Sequence, residues 1–204
     1  MPTYDDLSNA TVLITGGAQG IGEAMVRAFR EQGSRVFFCD LDLERGDSVE
    51  RDTGAQFDQV DLREEAEIAA WIARIAEKQG KIDVLINNAA RDPRIELADQ
   101  TTEAWDDLMA TNLRPHMITA RESAPHMPVG SSIINFSSVT FTLGPAPMTA
   151  YVSSKAAIIG FTRSLARELG PKGIRVNTLS PGWVMTERQL AEHVSEEVKS
   201  DLKT

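Results

Sequence analysis

Short apolar runs of strand length alternate along this chain with segments of helical period, and that alternation restricts the fold more than any other feature. Val12-Leu13-Ile14 is apolar at every position, as expected of a strand covered on both faces. Ile21, Ala24, Met25, Ala28 and Phe29 follow at i, i+3, i+4, i+7 and i+8, which is one face of a helix that Gly33 should end. Val36-Phe37-Phe38-Cys39 reads as the next strand, and residues 55–60 as a weaker, more polar strand suited to a sheet edge. Ile68, Trp71, Ile72, Ile75 and Ala76 give a second helical face, and Val84-Leu85-Ile86 a third apolar strand. Trp105, Leu108, Met109 and Leu113 mark another helix, Ile133-Ile134-Asn135-Phe136 a strand. Residues 151–169 read as a helix with Ile158, Phe161, Leu165 and Leu169 inward, and Arg175 to Leu179 as a last strand. Residues 125–130 and 143–148 read as loops. Strands apolar on both faces, alternating with helices, predict an α/β fold: a doubly wound, three-layered parallel sheet with helices on both sides.

Composition narrows the function. The 204 residues suit one domain, 1–204, and 42% hydrophobic content suits a globular core. With 30 acidic against 21 basic side chains the net charge is −9, which repels phosphate backbones and argues against nucleic acid as the partner. Charges interrupt every apolar run before membrane-spanning length, and residues 1–6 show no secretory signal, so a cytoplasmic protein is expected. Cys39, the one cysteine, cannot form an internal disulfide, and no Cys/His cluster suggests a metal site.

Several residues carry chemistry. The first strand runs into Thr15-Gly16-Gly17-Ala18-Gln19-Gly20-Ile21-Gly22, with a helix beginning inside the motif. Glycines permit a sharp turn and close approach to a pyrophosphate, and the helix N-terminus offers free N–H groups. Asp40 ends the second strand, 20 residues past Gly20, where an acid accepts hydrogen bonds from a ribose diol. A carboxylate there repels a 2′-phosphate; Gln19 is neutral and Leu41 follows Asp40, so no basic residue is expected to await that phosphate, and NAD is favoured over NADP. Asp61-Leu62 could cap the next helix or meet an adenine edge.

Tyr151 and Lys155 stand four apart at a helix start, hence on one face. An ammonium beside a phenol lowers its pKa and lets it exchange a proton with an alcohol near neutral pH. Ser138 follows the strand ending at Phe136, at the carboxyl edge where open α/β sheets bind ligands, although Ser137 is equally placed. Asn112 completes the apolar face of Trp105, Leu108, Met109 and Leu113, and a buried amide needs partners. Pro115 removes the N–H that would bond the Thr111 carbonyl, which predicts a local break beside Asn112.

Together these residues resemble the short-chain dehydrogenase/reductase family, from about Thr11 to Thr186. The family's glycine motif matches Thr15 to Gly22, its Asn-Asn-Ala-Gly motif appears as Asn87-Asn88-Ala89-Ala90, and its tetrad maps onto Asn112, Ser138, Tyr151 and Lys155. The interval of 13 from serine to tyrosine favours Ser138. The resemblance implies cofactor contacts from Gly16, Gln19, Gly20, Ile21, Gly22, Asp40, Leu41, Asp61, Leu62, Asn88, Ala89, Ala90, Tyr151 and Lys155. It adds Pro181, Gly182, Val184 and Thr186, with Thr186 at the nicotinamide carboxamide. It implies that Tyr151 is the acid/base, that Ser138 fixes the substrate oxygen, that Lys155 binds the nicotinamide ribose, and that Asn112 holds a water in a proton relay to Lys155.

The loop from Asn87 to Ala98 and the stretch Pro181-Gly182-Trp183-Val184-Met185-Thr186 look most similar to sugar and polyol dehydrogenases of this family, such as aldose 1-dehydrogenases. Arg91, Asp92 and Arg94 could contact hydroxyls; Phe141, Met148 and Trp183 would make part of the pocket apolar. Ala90 replaces the usual glycine and puts a methyl beside the cofactor. Leu190, Val194, Val198 and Leu202 form a stripe that resembles a lid helix over residues 187–204, and the family's last strand, beside 175–179, is expected to be missing. A homo-oligomer is the family's habit. The alternatives on this fold are a carbonyl or acyl reductase and a non-catalytic NAD-binding sensor or scaffold.

Overall fold

The structure, a computed structural model, describes residues 2–187 and residue 190. The chain runs β1 (Thr11–Thr15), α1 (Gly20–Glu31), β2 (Arg35–Asp40), α2 (Leu43–Thr53), β3 (Gln56–Gln59), α3 (Glu65–Gln79), β4 (Val84–Asn87), α4 (Thr102–Asn112), α5 (Arg114–Ser123), β5 (Ser132–Phe136), α6 (Thr140–Leu143), α7 (Thr149–Leu169) and β6 (Arg175–Leu179). The six strands form one sheet in the order β3-β2-β1-β4-β5-β6, and every pairing is parallel. The order reverses between β1 and β4, and at such a switch point the carboxyl ends of two strands open a crevice. The stripe Leu190, Val194, Val198 and Leu202 lies, apart from Leu190, outside the described residues. No helix among the described residues is long and apolar enough to cross a membrane.

Alternation along each strand separates two cores. Leu13, Phe37, Cys39, Leu85 and Ile133 face one side, where Ile68, Trp71, Ile72 and Ile75 of α3, Ile118 of α5 and Phe161, Leu165 and Leu169 of α7 cover them. Val12, Ile14, Val36, Phe38 and Ile86 face the other, against Ile21, Met25, Val26 and Phe29 of α1 and Val49 of α2. Burying both faces removes polar positions from the strands, which is why they read as unbroken apolar runs. β3 lies at the sheet edge, as its polar composition predicts. Cys39 is buried under this sheet, and desolvation pushes its thiol pKa well up.

Two helices escape the periodicity. α2 is mostly polar and is held by its ends: the Asp42 side chain accepts the Arg45 N–H at 3.0 Å, and Gly54 closes it at φ 67°. α5 buries Pro115, His116, Thr119 and Ser123 with Ile118 and Ala120, so polar residues occupy its inward face and the apolar stripe is lost. The break at Asn112 falls where Pro115 predicts it: α4 ends at Asn112 and α5 starts at Arg114.

Candidate active site

The carboxyl ends of β1, β2, β4, β5 and β6 surround a cleft of about 1340 Å³. One end begins at the turn after β1. Gly16 sits at φ 69° and Gly20 at φ 59°, in the left-handed region that side chains disfavour. A Cβ on Gly22 would lie 1.8 Å from the Gly16 carbonyl oxygen, so only glycine lets α1 start this close to the turn. Asp42 and Thr101 cap α2 and α4 with their side chains, but Gln19, the N-cap of α1, makes no such bond. The first turn of α1 therefore presents N–H groups and a positive dipole end to the cleft, which is the chemistry a pyrophosphate requires. Thr186 lies over this turn, its methyl 3.2 Å from where a Cβ of Gly20 would stand.

Asp40 is fixed by three backbone donors: the Ala18 N–H at 3.1 Å, the Leu41 N–H at 2.8 Å and the Asp42 N–H at 3.3 Å. A basic residue does line the same cleft, contrary to the expectation from the sequence. The Arg45 guanidinium lines the cleft, donates to the Gln19 side-chain carbonyl and pairs with Asp42 at 3.5 Å. Nothing local in the sequence marks it, because it reaches the glycine turn from the first turn of α2. Asp61 does not cap α3, whose N-cap is Glu64. It pairs with Arg63 at 2.6 Å, which holds its carboxyl below the usual range.

Asn88 explains its motif structurally. Its amide donates to the Thr15 carbonyl at 3.1 Å and the Gly16 carbonyl at 3.0 Å, tying β4 to the glycine turn. Its neighbour Asn87 donates to Asn135 at 2.9 Å and accepts from Thr119 at 2.7 Å, while Asn135 donates to Thr162 at 3.0 Å. This buried chain, which locks α5, β4, β5 and α7 beneath the cleft, has no signal in the sequence beyond polar residues inside apolar runs. Asn9 is the one described non-glycine residue with positive φ, so Ala90 takes ordinary backbone and its methyl lies in the cleft wall.

At the other end Tyr151 and Lys155 share a face of α7, with the Lys155 ammonium 5.6 Å from the Tyr151 ring centre. Lys155 is 2% exposed and donates to the Phe136 carbonyl at 2.9 Å. Burial lowers its pKa to about 8, and Asp92 partly opposes this. The two serines differ in their partners. Ser137 donates to the Lys155 carbonyl at 2.7 Å and so braces α7. Ser138 accepts the Thr140 N–H at 3.2 Å, which leaves its hydroxyl proton able to point into the cleft.

All the sequence-predicted site residues line this cleft except Asn112, which is fully buried behind it. Its side chain is taken up by protein partners. The Asn112 Oδ1 accepts the Arg91 N–H at 2.9 Å, and its amide donates to the Arg91 carbonyl at 2.7 Å and to Ser154 at 3.4 Å. Asn112 thus clamps the loop after β4 to α7. Arg91 is also committed: its guanidinium pairs with Asp107 and donates to Thr111 at 3.2 Å. Asp107 pairs in turn with Arg63 at 3.1 Å, and the two guanidinium groups hold its carboxyl below the usual range. All three charged loop residues, Arg91, Asp92 and Arg94, line the cleft, as do Leu143, Met148 and Trp183; Phe141 is not among the lining residues.

The short chain dehydrogenase family model matches residues 10–197. A protein of Rhizobium meliloti named as a probable galactose dehydrogenase is 44% identical over 95% of this chain and 79% of its own length. The D-xylose 1-dehydrogenase of Caulobacter vibrioides is 39% identical over 91% of this chain and 76% of its own length. The crystal structure of a dehydrogenase/reductase from Sinorhizobium meliloti superposes with a TM-score of 0.88 at 30% identity, over 96% of this chain and 80% of that one.

Proposed function

The chain belongs to the short-chain dehydrogenase/reductase family, oxidoreductases acting on CH–OH donors, and from that premise we propose that it is an NAD-dependent dehydrogenase of a sugar or polyol. The observation that carries the reading is the buried Lys155 ammonium beside Tyr151, in one cleft with the uncapped start of α1. The residues fit a dinucleotide. The glycine turn admits a pyrophosphate where any Cβ on Gly22 would collide with backbone. Asp40, its carboxylate already oriented by three N–H groups, accepts the ribose hydroxyls and repels a 2′-phosphate. Arg45 is held by Gln19 and Asp42, so its charge is partly answered before a cofactor arrives.

A bound nicotinamide supplies the hydride acceptor. Ser138 donates a hydrogen bond to the substrate oxygen and holds it against Tyr151. Tyr151 as phenolate takes the hydroxyl proton, or as phenol returns it in the reverse direction. Lys155, forced into a desolvated site, is a strong stabiliser of the neighbouring phenolate because little water screens it. The sugar preference rests on the two relatives named for galactose and D-xylose and on Asp92 and Arg94 in the cleft wall.

The test follows NADH absorbance against a panel of aldoses, polyols, hydroxysteroids and 3-hydroxyacyl thioesters, with NAD and NADP in parallel. Oxidation of an aldose with NAD is expected. Tyr151→Phe should lower turnover by at least about a thousandfold with NADH affinity retained. Tyr151→Phe turning over at a tenth of the native rate would refute the role of Tyr151. Turnover of hydroxyacyl thioesters with NADPH alone would replace the reading by the reductase alternative.

A further inference from the structure

The Tyr151–Lys155 pair sits where a helix is least secured. Both residues belong to the first two turns of α7, which begins at Thr149, and the N-cap residue Met148 makes no side-chain bond to those turns. The opening turns of a helix keep free N–H groups and fray unless something else holds them. Lys155 is moreover a buried cation, 2% exposed, and a desolvated ammonium gains by turning towards water. Two bonds oppose that. The Lys155 ammonium donates to the Phe136 carbonyl at 2.9 Å, and the Lys155 backbone carbonyl accepts the Ser137 hydroxyl at 2.7 Å. Consecutive residues at the end of β5 thus grip Lys155 twice, by its charged tip and by its main chain. The grip has a fixed base, because the Ser137 N–H donates to the Leu179 carbonyl at 2.8 Å and carries the β5–β6 pairing one residue past Phe136. Ser137 is itself buried, at 4% exposure, so bulk water does not compete for its hydroxyl. The helix does not need this bond: the Lys155 carbonyl lies inside α7, where the ladder uses one lone pair and the serine takes the second.

We propose that Ser137 is a positioning residue: its hydroxyl, closing a clasp with the Phe136 carbonyl around Lys155, holds α7 against β5 so that the ammonium stays buried beside Tyr151. The inference rests on the Tyr151–Lys155 reading of the site. It gives the serine doublet two separate tasks. Ser137 spends its proton on α7, and Ser138 keeps its own for the cleft. A methyl in place of the Ser137 hydroxyl leaves Lys155 on a single bond. The ammonium then exchanges the Phe136 carbonyl for water, and the positive charge leaves the phenol. The titratable groups that act on Lys155 or feel it are Tyr151 on its own helix, Asp92 from the loop after β4, and His116 of α5, which burial keeps uncharged. None of them is bonded to Ser137, so its replacement acts through the clasp alone.

The chain has two tyrosines, so in a Tyr4→Phe background Tyr151 is the sole phenol and its ionisation is read directly by phenolate absorbance. Ser137→Ala should raise the midpoint by about one pH unit, the weight of one hydrogen bond. Ser137→Thr, which keeps the hydroxyl, should titrate as the parent does. Thr162→Val is the control: it removes a different side-chain bond of α7, the one accepted from Asn135 at 3.0 Å, and loosens the same helix without touching the clasp. A serine that merely stabilises α7 predicts equal shifts in Ser137→Ala and Thr162→Val, whereas the clasp predicts a parental midpoint in Thr162→Val. A parental midpoint in Ser137→Ala overturns the proposal, and so does a shift as large as that of Ser137→Ala in either Thr162→Val or Ser137→Thr. If Ser137→Ala fails to fold by circular dichroism, Ser137→Cys, which fills the space with a weak donor, takes its place under the same criteria. Where a substrate is turned over, kcat of Ser137→Ala should fall about tenfold with KM unchanged and recover in Ser137→Thr; an unchanged kcat counts against the clasp. The titration needs no substrate, so a chain that oxidises no alcohol refutes the dehydrogenase reading while Ser137 is still judged by the midpoints.

Discussion

Mild acid should destabilise this protein through a single side chain. His116 titrates at 6.5 when unfolded and at about 3 in the folded chain, because burial and the Lys155 ammonium both oppose its protonation. A base whose folded pKa is depressed binds fewer protons folded than unfolded between those two values. Stability is therefore complete above 6.5 and is lost progressively as the pH falls towards 3. At pH 5 the loss is about 2 kcal/mol, and at pH 4.5 about 3 kcal/mol, against a total stability on the order of 5–15 kcal/mol for a domain. The window is distinct from that of the paired carboxylates. Asp61 and Asp107 titrate below 3.8 when folded, so their contribution is present above 3.8 and is lost only as the pH falls further. Lys155 acts elsewhere again: its pKa falls from 10.5 to about 8, so its burial penalty is relieved as the pH rises between those values. The assay is urea unfolding at pH 7 and pH 5 for the parent and His116→Gln, which keeps a polar side chain and removes the titration. The parent should lose about 2 kcal/mol more than the variant over that step. Parallel losses in the two proteins would show that His116 protonates freely when folded and would refute the reasoning.

Two further outcomes test the cofactor end. Gly22→Ala puts a methyl 1.8 Å from the Gly16 carbonyl oxygen, and since both atoms belong to backbone-bound positions the glycine turn must move; NADH affinity by fluorescence titration should fall at least about a hundredfold, and a change under twofold would contradict the packing. Asp40→Ala removes the carboxylate that opposes a 2′-phosphate while leaving Arg45 on the cleft wall, so the ratio of kcat/KM with NADP to that with NAD should rise at least about tenfold; an unchanged ratio would show that Asp40 does not select the cofactor.

The layered sheet was legible because burial on both faces leaves a plain record: strands apolar at every position, and helices on the outer layers with one apolar stripe. α5 left no such record, since His116, Thr119 and Ser123 are buried there among apolar residues. α2 left none because its side chains are largely polar and its caps define it. Within the site, spacing along single elements was readable. Tyr151 and Lys155 share a helix face, Asp40 ends a strand, and Pro115 breaks the helix beside Asn112.

What the sequence determined by itself is thus the local part: which segments are strands, where glycine must replace a side chain, and which ionisable residues share a helix face. The tertiary structure decided how those residues are occupied. It committed Ser137 to α7 and left Ser138 to the cleft, turned the Asn112 side chain to the Arg91 backbone, brought Arg45 to the glycine turn, and enclosed His116 in the interior. The reason is physical. Period and propensity record interactions a few residues apart, whereas a hydrogen bond between Asn112 and Arg91, or the loss of water around Lys155, exists only once distant segments have packed together.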